Sequence, residues 1–181
     1  MIIKNVLSQE EIDAIQDAVA HCPITNRQEI YGRYMHEQLM WQQEHNIDEN
    51  VTKRIVELTG KPYQLYGFNV CEYTAEAGKP NLPPHFDGDQ TDLIMTYQLS
   101  SNRTWGVGVD LNVYELEDND GVIFHPNESI HWRPHTKFED EEFVRLVFFR
   151  FRLPVESDYS HRRFSQDDPI FDEVRAFRDS L

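Results

Sequence analysis

Cysteine is scarce in this sequence. Only Cys22 and Cys71 occur in 181 residues, too few for a disulfide framework, so a reducing, cytoplasmic setting is the default expectation. Glycine and proline are sparse as well, at eight and nine residues, which excludes collagen-like and low-complexity classes. No apolar run approaches the roughly 18 residues of a membrane span. The opening Met1-Ile2-Ile3-Lys4 lacks the basic and apolar regions of a signal peptide. Positive charge is the last deficit: 17 Lys and Arg face 32 Asp and Glu, a net charge of −15. Such a chain repels a phosphate backbone and an anionic membrane surface alike, so neither nucleic acid nor membrane is expected as a partner.

Aromatic residues are plentiful by contrast. Apolar residues are 39% of the chain, but eleven Phe, eight Tyr and three Trp raise the buried area each can supply. The length fits one domain over residues 1–181. Ser8 and Glu11 form a capping box, and Ile12, Ile15 and Val19 recur at helical spacing up to Cys22-Pro23. Residues 24–46 have no clean period and read as a loop or broken helix covering something. A second helix is predicted over 48–59, with Val51, Ile55 and Leu58 on one face and Gly60 as its stop. Short β-type runs then follow at about 63–74, 84–89, 92–99, 107–116, 121–125, 129–133 and 143–153. That texture argues for an antiparallel sandwich or barrel. Val144 to Leu153 reads as a central strand. Asp168-Pro169 opens a terminal helix with Ile170, Phe171, Val174 and Phe177 on one stripe, able to pack on its own sheet or on a partner's. The fold class expected is α+β, mainly β, with a helical N-terminal region over residues 1–60, a β core over 61–153, and a tail and helix over 154–181.

Three features could carry chemistry. In His85-Phe86-Asp87, residues i and i+2 of an extended segment point the same way, so an imidazole and a carboxylate converge. A surface His beside an acid gives the same pattern by chance. His131, in Ser129-Ile130-His131-Trp132-Arg133-Pro134, could complete a two-His-one-carboxylate set on Fe(II), or be a satisfied core histidine. His125 and His135 compete with it, each next to a proline. Arg145 shares the period-2 face of Val147, Phe149 and Phe151, while Arg150 and Arg152 share the opposite face with Leu146 and Phe148. A lone guanidinium on an apolar face needs an anion. A bound carboxylate and a salt bridge to one of the chain's acids both satisfy it.

The ordered set His85, Asp87, His131 and Arg145 resembles the Fe(II)- and 2-oxoglutarate-dependent dioxygenases, most closely their prolyl-4-hydroxylase-like branch. Val6-Leu7-Ser8-Gln9-Glu10-Glu11-Ile12 is similar to the start of that branch's first helix. Cys71-Glu72-Tyr73 and Thr96-Tyr97-Gln98-Leu99 resemble its two tyrosine-bearing strands. The resemblance implies a double-stranded β-helix, or jelly roll, with N-terminal helices on one sheet. It implies Fe(II) held by His85, Asp87 and His131, with 2-oxoglutarate as cosubstrate and O2 as oxidant. Arg145 and Tyr97 would bind the C5 carboxylate and Tyr73 would support the C1 end. Succinate and CO2 are then the coproducts, and hydroxylation of an unactivated C–H the outcome. Halogenating relatives carry Gly or Ala where this chain has Asp87.

Two departures from the pattern matter. Gly106-Val107-Gly108-Val109-Asp110-Leu111 is only a loose counterpart of the family's Gly-Gly-x-L segment. The interval from His131 to Arg145 is long, running through Glu139-Asp140-Glu141-Glu142, which leaves Arg150 as the alternative clamp. Arg27, Tyr31, Arg33, Tyr34 and Trp41 read as a lid suited to an amino acid, a peptidyl side chain or another small carboxylated molecule, or else as packing between helices and sheet. Arg150, Arg152, Arg162 and Arg163 are the one basic concentration. The competing functions are a cupin-like Zn or Mn isomerase or hydrolase, and a non-catalytic jelly-roll binding module.

Overall fold

A computed structural model describes residues 1–22, 24–37, 39, 46–87, 91–154 and 168–181. Two antiparallel sheets face each other. The larger is built from β1 (Ile2–Ile3), β2 (Ile24–Gln28), β3 (Arg33–Glu37), β4 (Gln64–Thr74), β5 (Leu93–Ser101), β8 (Gly121–Phe124) and β10 (Phe143–Arg152), in the order β1-β8-β5-β10-β4-β3-β2. The smaller has β6 (Val107–Val109), β7 (Asn112–Tyr114) and β9 (His131–Trp132), in the order β7-β6-β9. Two N-terminal helices, α1 (Gln9–Ala20) and α2 (Ile47–Thr59), cover the outer face of the larger sheet, and α3 (Ile170–Asp179) covers the smaller one. This is the mainly β, jelly-roll arrangement.

The helices begin where local chemistry tells them to. Glu11 N–H donates to Ser8 Oγ at 3.3 Å and Ser8 N–H to Glu11 Oε2 at 2.7 Å, the reciprocal capping box. Asn50 then donates to Glu11 Oε1 at 2.7 Å, fixing α2 against α1. Gly60 ends α2 at φ 67, a left-handed value that glycine adopts without cost. The helix presents Ile47, Val51 and Ile55 to the sheet, whereas Leu58 is 45% exposed and lies off that face.

β10 is the central strand, hydrogen-bonded to β4 on one side and β5 on the other. Its alternation assigns two cores. Val147, Phe149 and Phe151 meet Met95, Tyr97 and the helices. Leu146 and Phe148 face the smaller sheet among Cys71, Tyr73 and Trp105. Residues 24–37 are a β-hairpin, with a single 3₁₀ turn at Glu29–Tyr31 between its strands, rather than a loop or broken helix. It adds to the β4 edge, and the polar residues of a solvated edge hide the alternation that marks a strand. The run 107–116 is likewise two strands, broken at Asp110, whose φ is 52. Around 84–89 only His85 pairs, as an isolated bridge, and 88–90 lie outside the described residues.

Phe149 is fully buried between sheet and helices. Phe149→Ala is expected to lower unfolding free energy by about 3–5 kcal/mol in urea denaturation. Ile30→Ala, at a residue 76% exposed, is expected to change it by less than about 0.5 kcal/mol.

Candidate metal centre

The smaller sheet brings the two histidines together. His85 N–H donates to His131 O at 3.1 Å and His131 N–H to His85 O at 3.0 Å, an antiparallel pair that sets the rings side by side with centroids 4.0 Å apart. Asp87 follows two residues after His85 on extended chain, tied down by its N–H to Pro126 O at 3.1 Å. Its Oδ1 lies 3.3 Å from His131 Nε2 and 3.6 Å from His85 Nε2. One ligand atom from each of the three lies within 4.8 Å of the others.

Hydrogen bonds on the far side of each ring decide what this cluster can hold. His85 Nδ1 faces Pro83 O at 2.8 Å, and His131 Nδ1 faces Ser129 O at 3.4 Å. A carbonyl only accepts, so with a cation between them each Nδ1 would carry the proton and each Nε2 would turn a lone pair toward the cation; without one, the Nε2 edges can instead donate to Asp87. Three electron-pair donors aimed at one point repel one another unless a cation lies between them. Nitrogen and oxygen ligands at about 2.1 Å from a metal sit about 3 Å apart when adjacent, close to the spacing here. The donor set fits a divalent first-row ion with open positions.

The same contacts set the titration of the metal-free cluster. Burial acts to raise the Asp87 carboxyl, but hydrogen bonds to His131 and His85 outweigh it and hold the group far below the usual carboxylate range. Burial lowers the His131 imidazole despite the neighbouring Asp87.

A cavity of about 140 Å³ opens from the cluster into the space between the sheets. That is comparable to the roughly 150 Å³ cavity that admits a benzene ring. Leu82, Ile94, Val107, Phe124 and Phe148 line it, together with three arginines, Arg33, Arg133 and Arg150. Arg133 is 2% exposed. Its Nη1 donates to Trp105 O at 2.9 Å and Gly106 O at 3.0 Å, and the guanidinium lies 4.8 Å over the Trp105 ring. Its Nη2 is buried with no partner among the described residues. Burial brings its pKa down to about 10, so it remains a cation at neutral pH. Arg33 donates from Nε to Gln28 Oε1 at 2.7 Å and from Nη1 to the Tyr73 hydroxyl at 3.2 Å, with its guanidinium over the Tyr31 ring.

Not every residue expected here arrives. Arg145 stands outside the cavity: it points to the helix side of β10, and both its Nε (2.7 Å) and Nη2 pair with Glu72 Oε2. Strand parity is the reason, because the face it shares with Val147 and Phe149 is turned away from the histidines. Tyr97 is misplaced for the same reason. It lies in the helix-side core, its hydroxyl donating to Asn119 Oδ1 at 3.3 Å, whereas Ile94 and Thr96 are the β5 residues that line the cavity. Tyr73 is on the correct face but behind the lining, edge-on to Trp105 at 4.9 Å and holding Arg33. His125 Nδ1 contacts Asp92 O at 2.7 Å, and His135 pairs with Asp179 at 2.9 Å; neither joins the cluster.

Of the expected lid, Tyr31 and Arg33 reach the cavity, Arg27 is spent on the Glu76 and Ala77 carbonyls, and Tyr34 lines a separate groove beside Arg145. Arg152 lies over the Tyr66 ring. Trp41, Arg162 and Arg163 lie outside the described residues. Arg133 was missed by the sequence reading. The i+2 rule that joins Asp87 to His85, applied to His131, finds it.

Solved structures share this architecture. A 2OG-Fe(II) oxygenase family oxidoreductase from Burkholderia pseudomallei superposes with a TM-score of 0.64 at 10% identity, covering 83% of this chain and 84% of its own. A viral collagen prolyl hydroxylase from Paramecium Bursaria Chlorella virus-1, solved with 2OG, gives 0.61 at 14% identity, over 84% and 95%. The chain has the 2-oxoglutarate–Fe(II) oxygenase fold. SnoN, a non-heme alpha ketoglutarate dependent epimerase from nogalamycin biosynthesis, has that fold too, with a TM-score of 0.66 at 16% identity over 84% of this chain and 77% of its own. No protein-family model matches the sequence, and no curated protein matches it. No helix among the described residues is long and apolar enough to cross a membrane.

His131 gives a pH test. Its folded imidazole is held neutral, so below an unfolded pKa of about 6.5 the unfolded chain binds the extra proton and stability falls. Asp87 acts lower: its contribution is complete above about 3.9 and is lost as acid protonates the carboxylate. Metal-free protein is expected to melt at progressively lower temperature as pH drops below about 6.5, with a shallower decline in His131→Asn. Equal slopes in a thermal melt series would exclude His131 as the group responsible.

Proposed function

We propose that this protein is a non-haem Fe(II) dioxygenase of the prolyl-4-hydroxylase-like branch, one domain over residues 1–181. It couples oxidative decarboxylation of 2-oxoglutarate to hydroxylation of an unactivated C–H in an amino acid, a peptidyl side chain or another small molecule. The observation that carries this is the pairing of two demands in one cavity: three lone-pair donors that need a cation, and a buried guanidinium whose Nη2 needs an anion. A chelating dicarboxylate on a ferrous ion answers both. Two cysteines outside any disulfide suit a cytoplasmic setting.

Each residue then has a task. His85, Asp87 and His131 hold Fe(II), and the Pro83 and Ser129 carbonyls keep both imidazoles in the ligating tautomer. Arg133 takes the distal carboxylate of 2-oxoglutarate, in the place the sequence reading gave to Arg145 or Arg150. Ile94, Val107, Phe124 and Phe148 exclude water around the metal. When bound, the metal and cosubstrate supply the oxidising power, and the protein supplies position. Asp87 fills the third protein position, which supports hydroxylation over halide transfer. The small cavity supports a small molecule or a single side chain as substrate.

Anaerobic titration of the apo protein with Fe(II) and 2-oxoglutarate is expected to give a visible metal-to-ligand charge-transfer band, and O2 is expected to yield succinate. His85→Ala and Asp87→Ala should lose both signals. Arg133→Lys should weaken 2-oxoglutarate binding by about tenfold or more, the loss of one charge-assisted hydrogen bond. Full turnover in His85→Ala would reject the assignment.

A further inference from the structure

The cavity holds more positive charge than a cosubstrate can answer. Arg33, Arg133 and Arg150 all line it, and Asp87 is the only acidic lining residue among the described residues. Resting on the dioxygenase reading, Fe(II) and 2-oxoglutarate cancel each other's charge. Asp87 offsets one guanidinium, and two remain. Around them the chain as a whole is strongly acidic, so this local reversal of sign is not a by-product of composition.

The three arginines differ in how far they are already satisfied. Arg133 is anchored by two carbonyls, and Arg33 by Gln28 and Tyr73. The Arg150 guanidinium has no hydrogen bond or ion pair among the described residues, although the residue is half-buried on the central strand. Its cross-strand neighbours are Ile94 and Gly67. Ile94 pairs in turn with Phe124, whose ring lies 5.1 Å from that of His131, so Arg150 sits at the level of the metal ligands. A Cβ placed on Gly67 would meet nothing within 4 Å, which leaves the approach to Arg150 open.

We infer that the primary substrate is a small carboxylate, whose acidic group is bound by Arg150 with Arg33 adding charge, while Arg133 serves the cosubstrate. The guanidinium fork takes the carboxylate in bidentate fashion and fixes the carbon to be oxidised beside the metal.

The test uses full-length protein loaded with Mn(II) and saturated with 2-oxoglutarate, titrated with acetate or with acetamide at constant ionic strength. Thermal melting is the readout, since a ligand of the folded state raises the transition saturably. Acetate is expected to raise it and the isosteric neutral acetamide is not. In Arg150→Gln the acetate affinity should fall about tenfold or more, with 2-oxoglutarate affinity by calorimetry unchanged. Arg150→Lys, which keeps the charge but loses the fork, should bind acetate more weakly than the wild type and more tightly than Arg150→Gln, and unchanged melting of both variants without acetate excludes a folding defect. The inference is overturned if acetamide matches acetate in the wild type, or if Arg150→Gln weakens 2-oxoglutarate instead of acetate. If the metal-loaded protein binds no 2-oxoglutarate yet acetate still stabilises it through Arg150, the dioxygenase reading fails and the anion site stands.

Discussion

Two backbone hydrogen bonds between His85 and His131 join segments that are far apart along the chain. Because the pairing is antiparallel and direct, the two imidazoles leave the backbone at the same level and on the same face. Asp87 reaches the same point only because the chain stays extended for two more residues. A slip of one residue in this pairing would turn His131 outward and bring Trp132 in, leaving no site at all. The surrounding sheet exists, in effect, to protect that register. Gly108 lies across from Trp132 so closely that an added Cβ would overlap the indole. The close pairing of β6 with β9 thus depends on a position without a side chain.

The electrostatic pattern is layered. The exterior is acidic, and at physiological salt its field fades within about 8 Å. Inside, the arginines and the His85–Asp87–His131 cluster act across a low-dielectric space where charges are felt strongly. An anion that binds in the cavity would therefore be recognised at short range after entry rather than drawn in from a distance. Arg133 illustrates the local design: flanked by the Tyr73 and Trp105 rings and held by two carbonyls, it has one nitrogen without a partner among the described residues.

Much of this was readable from sequence because the signals were local. The capping box at Ser8, the glycine stop at Gly60, and the i,i+2 pair at His85 and Asp87 each follow from a few neighbouring residues. What escaped depended on which face of a sheet looks inward. The alternation of β10 correctly separated Arg145 from Arg150, but nothing in a single strand says which side faces the His85–Asp87–His131 cluster. Tyr97 failed for the same reason, one residue away from the inward-facing Thr96. The hairpin over 24–37 was invisible because edge strands carry polar residues on both faces, and its role lies in delivering Tyr31 and Arg33 to the cavity.

The placement of α3 has a kinetic corollary. Phe86, between His85 and Asp87, and Trp132, next to His131, turn their rings to the opposite side of the smaller sheet. There they meet Phe171 at 5.2 Å and Phe177 at 5.9 Å. Arg178 also donates to the Arg133 carbonyl at 2.8 Å and to Asn81. The α3 residues of this clasp follow His85, Asp87 and His131 in the chain and so emerge from the ribosome after them. A nascent chain paused before α3 would carry the His85–Asp87–His131 cluster on a sheet whose outer side is still uncovered, so the cluster would gain its final support only when α3 docks.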